Sequence, residues 1–170
     1  MATTRVSRRF AELARAEQNV TWFEEPVSSD DLAGLHLLCR RAPAGMEIAA
    51  GEYGRNAAYL ARMMKWKPWI IQADATRCGG VTGFMEAAAI ADAHPIPLSA
   101  HCGPTIHMHL ACAPRPLRHV EYFHDHVRIE SMLFDGFRPA QSDGCMHPDF
   151  TRPGLGIEFK SQDAERFAEN

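Results

Sequence analysis

Long apolar runs are absent from the sequence, and so is any excess of basic charge. No stretch approaches the roughly 18 consecutive apolar residues that a transmembrane helix needs, so no membrane partner is expected. The formal net charge is −3, which gives no electrostatic basis for binding nucleic acid. The opening segment MATTRVSRRF is basic but has no apolar core behind it, so a secretory signal is not expected and the predicted localisation is cytoplasmic.

Cysteine and glycine motifs that mark common cofactor sites are also missing. The five cysteines are scattered and form no CxxC pair, which argues against a structural zinc site and against a dithiol redox motif. The GG pair in RCGGVTG does not extend to GxGxxG, so there is no dinucleotide-binding signature. The HMH and HDH segments each place two histidines at i, i+2. In HMH, on a predicted helix, this spacing puts the rings on different faces and weakens a metal-binding interpretation; the HDH histidines lie just past a predicted strand end, and metal binding is not expected there either.

Short helical and extended patterns alternate along the chain. A length of 170 residues with 46% hydrophobic residues suits one globular domain with a buried core. Residues 5–18 place Phe10, Leu13 and Ala14 on one face and predict the first helix. Five mostly apolar segments, separated by helical ones, predict parallel strands: VTWFEE, MEIAAGE, PWIIQAD, IPLSAHC and RHVEYF. From about residue 127 the alternation ends, and loops around short extended pieces are expected.

Each predicted strand ends on an ionisable side chain. These residues follow one another at separations of 20 to 28 positions, about one βα unit: Glu24, Glu52, Asp74, His101 and Glu121. The carboxyl ends of parallel strands meet at one rim, which is where βα barrels carry their chemistry. The pattern therefore predicts an α/β fold with a curved parallel sheet of the βα-barrel type, and it places these five side chains on one rim.

The residue types on this rim suit proton transfer beside a divalent cation. Glu24 and Glu52 offer hard oxygen ligands, which favour Mg²⁺ or Mn²⁺ over zinc. Asp74 and His101 could form a pair in which the carboxylate orients a general base, and Glu121 could donate a proton. The combination fits removal of a proton next to a substrate carboxylate, with the metal ion stabilising the resulting charge.

Five motifs give the sequence a family resemblance. WFEEP, AAGE, QADATRCGGVTG, SAHC and HVEYF, in that order, resemble the barrel domain of the enolase superfamily, mandelate racemase and muconate lactonizing enzyme subgroup. RPGLGIEF resembles the tail that follows that barrel, so the resemblance runs over roughly residues 8–160. It implies about five parallel strands from the C-terminal half of a (β/α) barrel, with alternating helices and an irregular C-terminal tail.

The resemblance also implies a role for each residue of the rim. Mg²⁺ is the implied cofactor, with Glu24 and Glu52 as two of its three protein ligands. The implied catalytic residues are a base, its dyad partner and an acid that hydrogen-bonds the substrate carboxylate, in that order His101, Asp74 and Glu121. Of the two adjacent glutamates, Glu24 is then expected to face the site, and Glu25 to anchor the backbone beside Pro26.

Other features of that family are not found in these 170 residues. Members carry an α+β capping domain, a Lys-x-Lys base motif and a first metal-ligating aspartate ahead of the part that matches here. The KWK segment at 65–67 has the right spacing but lies between a helix and a strand, so the base motif is not assigned to it. We expect residues 1–126 to form the C-terminal half of a (β/α) barrel and residues 127–170 to form a tail that packs on it.

Two functional interpretations stay open. The first is Mg²⁺-dependent abstraction of the α-proton of a sugar acid or hydroxy acid, leading to dehydration or racemisation, by a chain that is inactive alone. The second is a non-catalytic barrel fragment that self-associates or needs a partner chain. Under either interpretation a homo-oligomer is expected, because the first and last strands of an open sheet present unpaired backbone groups.

Overall fold

The computed structural model describes residues 2–168 as alternating helices and strands. The helices are α1 (Ala2–Gln18), α2 (Leu32–Arg41), α3 (Ala57–Met64), α4 (Gly80–Ala93), α5 (Pro104–Ala111), α6 (His124–Leu133) and α7 (Ser161–Glu165). The strands are β1 (Trp22–Glu24), β2 (Glu47–Ala50), β3 (Ile70–Ala73), β4 (Leu98–Ala100), β5 (Leu117–Val120), β6 (Phe134–Asp135) and β7 (Glu158–Phe159). None of the helices formed by residues 2–168 is long and apolar enough to cross a membrane.

The first five strands form one sheet in the order of the sequence, β1-β2-β3-β4-β5. Phe23 of β1 lies opposite Ile48 of β2, in parallel register. Further along the sheet, the Ile71 N–H donates to the Pro97 carbonyl at 3.0 Å. Five parallel strands that alternate with helices confirm the predicted α/β class.

Burial explains why two of these strands, β3 and β4, have few polar residues. Every residue of β3 and β4 is buried, whereas β1 and β5 are half-buried or exposed along their length. The core packs α3 and α4 against the sheet, and its most deeply buried side chains include Ile48, Leu60, Ile71, Phe84 and Leu98. Strands that are covered on both faces require continuous apolar sequence, which IIQA and LSA come close to providing.

Local signals define where the helices begin. The Asp31 side chain accepts a hydrogen bond from the Gly34 N–H at 2.9 Å, and Asn56 caps α3 in the same way through Tyr59. Side chains of this kind satisfy backbone donors that the first helical turn leaves without partners. Helix α5 instead begins with Pro104 directly after Gly103, whose φ of +43° suits glycine.

The predicted first helix is present as α1, and its buried face is not the one that carries Phe10 and Leu13. Phe10 and Leu13 are 59% and 48% exposed, while Thr4, Ser7 and Ala11 form the buried face. The Ser7 hydroxyl donates to the Pro26 carbonyl at 2.6 Å, so a polar contact fixes the rotation of α1. Much of the apolar side of α1, which includes Phe10 and Leu13, is therefore exposed to solvent.

Residue contacts group the chain into two compact units. One contains the residues up to 99 together with 114–119, and the other contains 100–113 and the residues from 120 onward. The second unit contains a helix that the sequence did not predict, α6, as well as the two-stranded antiparallel pairing of β6 with β7. The proposed boundary between residues 126 and 127 stays a prediction.

Candidate functional site

Two adjacent glutamates end β1 and have different contacts. The Glu24 carboxylate accepts a hydrogen bond from the Trp22 indole N–H at 3.0 Å. The Glu25 carboxylate accepts from the Gly51 backbone N–H, also at 3.0 Å, and the φ of Glu25 is +42°. A non-glycine residue with positive φ is strained, and its contact with Gly51 ties the end of β1 to the loop after β2. The contact of Glu25 with the Gly51 backbone is of the kind expected of a residue that anchors the chain.

Glu52 approaches Glu24 from the loop that follows β2. Carboxylate oxygens of these two residues lie within 4.8 Å of each other. Gly51 makes this approach possible, because its φ is +133° and a Cβ there would lie 2.4 Å from the Gln72 carbonyl oxygen. Only glycine fits so close to a neighbouring strand, so the chain can turn Glu52 towards Glu24.

Asp74, directly after β3, is held by its own turn. One of its oxygens accepts hydrogen bonds from the backbone N–H and the hydroxyl of Thr76, at 2.8 and 2.7 Å. The second oxygen lies 3.5 Å from Arg77 Nε. The side chain of Asp74 is only 6% exposed, so these contacts offset the cost of burying a carboxylate.

Arg77 connects two of the predicted site residues. Its Nη1 lies 3.4 Å from Glu52 Oε1, while its Nε faces Asp74. The guanidinium carbon also sits 5.0 Å from the centre of the Tyr53 ring. Hydrogen bonding to the adjacent Glu52 carboxylate raises the pKa of Tyr53 above its ordinary value. The sequence analysis did not single out Arg77, although its position three residues after Asp74 was a usable signal.

A second group of functional side chains lies in the other compact unit. His101 Nε2 is 3.8 Å from Glu121 Oε2, and Cys102 Sγ is 3.3 Å from each of these two atoms. The Cys102 backbone N–H donates to the same glutamate oxygen at 2.9 Å. The predicted base and acid therefore lie close together, with a thiol between them. The thiol was not predicted as a site residue, although SAHC was one of the recognised motifs.

The backbone that presents this group has an unusual conformation. Cys102 has φ of +48°, a left-handed conformation that costs an L-residue roughly 1–2 kcal/mol. Conformations of this kind persist where surrounding contacts hold them, and they concentrate at functional sites. Here His107 Nδ1 donates to the Cys102 carbonyl at 2.8 Å, and the Gly103 N–H donates to His126 Nδ1 at 3.0 Å. The two histidines thus need opposite tautomers, with the proton on Nδ1 in His107 and absent from Nδ1 in His126.

Helix α6 supports the same loop through a buried carboxylate. Glu130 accepts hydrogen bonds from the Thr105 hydroxyl at 2.5 Å and from the Thr105 backbone N–H at 3.2 Å. It thereby satisfies a donor in the first turn of α5, where the helix itself supplies no acceptor. The remaining histidine of the HMH pair, His109, contacts the Leu155 carbonyl at 3.1 Å, and His124 contacts its neighbour Asp125. Across residues 2–168, the groups of side chains spaced to hold a metal ion do not include the HMH or HDH histidines.

The donor set at Glu24 and Glu52 fits Mg²⁺. Both ligands are carboxylate oxygens, which this hard cation prefers over nitrogen and sulfur. Two oxygens bound to one Mg²⁺ lie about 2.9–4.2 Å apart at bond lengths of roughly 2.0–2.1 Å. The carboxylate oxygens of Glu24 and Glu52 lie within 4.8 Å of each other, so a small side-chain movement brings them to that separation. Asp74 belongs to the first unit and His101 to the second, and the hydrogen bond predicted between them stays a prediction.

Comparison with known proteins identifies one matching family and similar solved structures. Residues 2–164 match the enolase C-terminal domain-like family. The crystal structure of a mandelate racemase/muconate lactonizing enzyme-like protein from Rubrobacter xylanophilus is 44% identical, with a TM-score of 0.91 over 96% of this chain and 45% of that chain. L-talarate dehydratase from a Polaromonas species, in complex with Mg and L-glucarate, is 29% identical, with a TM-score of 0.79 over 95% of this chain and 43% of that one.

One curated relative is also a dehydratase. L-rhamnonate dehydratase from Saccharopolyspora erythraea is 39% identical over 83 residues, which are 48% of this chain and 21% of that protein. The chain therefore spans less than half the length of each of these relatives. The match over residues 2–164 confirms the resemblance that the five sequence motifs indicated.

Proposed function

The chain belongs to the enolase C-terminal domain-like family, and on that premise we propose that it contributes to Mg²⁺-dependent abstraction of the α-proton of a carboxylate substrate. The observation that carries the proposal is the approach of Glu24 to Glu52, with carboxylate oxygens within 4.8 Å. Both residues follow adjacent parallel strands, where such barrels hold their reacting groups. Mg²⁺ held by these two carboxylates would stabilise the negative charge that develops on the substrate carboxylate.

In this proposal His101 acts as the general base. Its Nε2 takes the α-proton, and Asp74 orients the ring from the opposite nitrogen. Glu121, whose Oε2 lies 3.8 Å from His101 Nε2, donates a hydrogen bond or a proton on the same side. A buried imidazole beside a carboxylate, with a side-chain exposure of 7%, is shielded from water, which strengthens electrostatic interactions in the site.

Dehydration of a sugar acid is the preferred reaction. It removes the α-proton and then the β-hydroxyl, which leaves as water after it receives a proton from an acid group. Two relatives, the Polaromonas and Saccharopolyspora proteins, are named dehydratases of sugar acids. Racemisation of a hydroxy acid needs the same first step, followed by return of a proton to the opposite face, and it is the alternative within this class.

Metal binding gives the first test. Millimolar affinity for Mg²⁺ is expected, so 10 mM Mg²⁺ should raise the free energy of unfolding by about 1.4 kcal/mol if Kd is about 1 mM. For a chain of this length that corresponds to a rise in Tm of roughly 3–5 °C. Glu24→Gln and Glu52→Gln should abolish the rise, and Glu86→Gln, on the exposed side of α4, should retain it. A rise that persists in both site variants would contradict the assignment.

Proton exchange gives the second test. The assay follows loss of the α-proton signal of L-rhamnonate or glucarate by NMR in deuterated water, with and without Mg²⁺. We expect no turnover by the 170-residue chain alone, since two carboxylates leave most of the six positions of Mg²⁺ to water. Measurable exchange that His101→Asn abolishes would overturn this expectation and support the catalytic role of the histidine.

A non-catalytic, self-associating chain is the second candidate function. The observation that favours it is the exposed apolar stripe of α1, where Val6, Phe10 and Leu13 are 70%, 59% and 48% exposed. These residues lie at i, i+4 and i+7, the spacing of a helix face that binds another apolar surface. Sedimentation of the unmodified chain and of Phe10→Ser distinguishes the cases: a homo-oligomer that Phe10→Ser dissociates supports association through α1, and a stable monomer contradicts it.

A further inference from the structure

Three chemically different donor atoms converge at the start of α5. They are His101 Nε2, Cys102 Sγ and Glu121 Oε2, and their separations are 3.3, 3.3 and 3.8 Å. His101 and Cys102 are buried, and the glutamate side chain is 28% exposed. Nitrogen, sulfur and oxygen within one such group are typical of the ligands of a zinc ion, and they differ from the oxygen pair of Glu24 and Glu52.

The spacing of the three atoms matches the geometry of zinc. A tetrahedral zinc ion with bonds of roughly 2.3 Å to sulfur and 2.0–2.1 Å to nitrogen and oxygen holds its ligand atoms about 3.3–3.6 Å apart. The observed separations of 3.3, 3.3 and 3.8 Å differ from these values by only a few tenths of an ångström. Three protein ligands with one position left for water are the usual arrangement where zinc is not purely structural.

We propose that His101, Cys102 and Glu121 form a binding site for Zn²⁺, distinct in its chemistry from the Mg²⁺ ligands Glu24 and Glu52. A thiolate and an imidazole select zinc over magnesium, which keeps a strong preference for oxygen. One histidine of the HMH pair and one of the HDH pair support the backbone that carries this site. His107 and His126 hold the Cys102 carbonyl and the Gly103 N–H, and they thereby support the loop that presents the thiol.

The ligands are held in place before a metal ion binds. Cys102 and Gly103 both have positive φ, +48° and +43°, which turns the thiol towards His101 and Glu121. The Cys102 N–H also donates to Glu121 Oε2 at 2.9 Å and fixes the carboxylate. Because little rearrangement is needed, little conformational freedom is lost when the ion binds.

The functional consequence rests on the proposed function above. If His101 Nε2 accepts the α-proton, a zinc ion on that nitrogen occupies the lone pair that the base requires. Zn²⁺ would then act as an inhibitor that Mg²⁺ cannot displace. Zinc binding itself does not depend on this consequence, so the two proposals can fail separately.

The test uses the 170-residue chain, stripped of metal by a chelator, with Co²⁺ and Zn²⁺ as probes. Cobalt bound by a thiolate in a tetrahedral site gives a sulfur-to-metal absorption band in the near ultraviolet together with intense visible bands. We expect one equivalent of Co²⁺ to produce both, and one equivalent of Zn²⁺ to remove them. Excess Mg²⁺ should leave the bands unchanged, because it does not compete for nitrogen and sulfur ligands.

Matched variants assign the bands to residues. Cys102→Ser should abolish the sulfur band and weaken Zn²⁺ binding, measured by competition with a chromophoric chelator. The loss should be at least as large as the roughly 10–100-fold that removal of an outer-shell partner costs. Glu121→Gln, which keeps the thiol, should retain the sulfur band with weaker Zn²⁺ binding, and it provides an independent test if Cys102→Ser does not fold.

Another thiol provides the decisive control. Cys145 is exposed, and its backbone N–H donates to Asp143, which also contacts His147 at 3.0 Å. Cys145→Ser should leave the cobalt spectrum and the Zn²⁺ affinity unchanged. The proposal is overturned if Cys145→Ser removes the sulfur band, if Cys102→Ser retains full Zn²⁺ affinity, or if the unmodified chain gives no sulfur band at all.

Discussion

Gly83, in the first half of α4, packs against the turn that carries Asp74 and Arg77. A Cβ added at this glycine would lie 1.9 Å from the carbonyl oxygen of Cys78 and 2.7 Å from its carbonyl carbon. Both atoms belong to the backbone, which cannot rotate away as a flexible side chain can. Gly83→Ala is therefore a small change that forces the turn and the helix apart.

Two opposing effects determine how much Gly83→Ala changes the free energy of unfolding. Alanine in a helix interior is normally more stable than glycine by about 1 kcal/mol. Here, however, the Cys78 carbonyl must move by about 1.5 Å before its separation from the new methyl group reaches an ordinary contact. Overpacking of this kind typically costs about 1–3 kcal/mol and sometimes more. We therefore expect Gly83→Ala to lower the free energy of unfolding by about 1–3 kcal/mol, in spite of the better helix propensity.

The same displacement should reach the candidate site. The Cys78 N–H donates to the Asp74 carbonyl at 2.8 Å, and Arg77 precedes Cys78 and faces both Asp74 and Glu52. Movement of this turn changes the position of the guanidinium relative to Glu52. The stabilisation of Gly83→Ala by 10 mM Mg²⁺ should therefore be smaller than that of the unmodified chain.

Thermal unfolding followed by circular dichroism, with and without Mg²⁺, checks both effects. Gly83→Ala should lower Tm by roughly 3–10 °C. Thr82→Ala is the matched control, because Thr82 is exposed one position earlier in α4, and it should raise the free energy of unfolding by about 0.5 kcal/mol at most. A Gly83→Ala chain as stable as Thr82→Ala would refute the argument, because the helix could then accept a methyl group at the Cys78 carbonyl.

Three further predictions concern a buried amide, a buried thiol and an exposed ion pair. Gln72 is fully buried, and neither of its side-chain amide atoms has a hydrogen-bond partner among the described residues. Gln72→Met should therefore raise the free energy of unfolding by about 1 kcal/mol in denaturant titrations, and a loss would indicate a bound water or another partner for the amide. Burial raises the pKa of the Cys39 thiol to about 11. A thiol reagent at neutral pH should therefore modify exposed Cys112 well before Cys39. Equal rates of modification of the two thiols would contradict the packing of α2. The Arg115 guanidinium lowers the pKa of Asp92, so this pair stabilises the fold above the ordinary aspartate pKa and loses that contribution as pH falls through the lowered value. Arg115→Ala should move the Asp92 titration, measured by carbon NMR, back towards the ordinary range, and an unchanged titration would count against the ion pair.

The strands of the sheet were predictable from the sequence because each one is a short apolar run that recurs at regular intervals along the chain. Strands covered on both faces need apolar runs, and IIQA and LSA show this directly in the sequence. The ends of these strands were predictable for the same reason, since an ionisable residue such as Asp74 or His101 stops an apolar run. Strand alternation indicated that Glu24 and Glu25 point in opposite directions, and the family resemblance indicated which of the two is expected to face the site.

Features that depend on tertiary contacts were not predictable in this way. The sequence pattern placed Phe10 and Leu13 on one face of α1, but which face is buried depends on the hydrogen bond from Ser7 to the Pro26 carbonyl, and both residues are largely exposed. Helix α6 lacks an apolar face, and Glu130 is its buried residue, so hydrophobic periodicity could not identify it. What fixes Glu130 is its pair of hydrogen bonds to Thr105, 25 residues earlier.

The charges around Glu52 limit how tightly the carboxylates of Glu24 and Glu52 can hold a cation. Arg77 already neutralises part of the negative charge of Glu52 and Asp74, at 3.4 and 3.5 Å. A divalent ion at Glu52 therefore approaches a positive guanidinium, and Coulomb repulsion lowers its affinity. The pair of glutamates is therefore suited to an ion that binds weakly and exchanges with solvent.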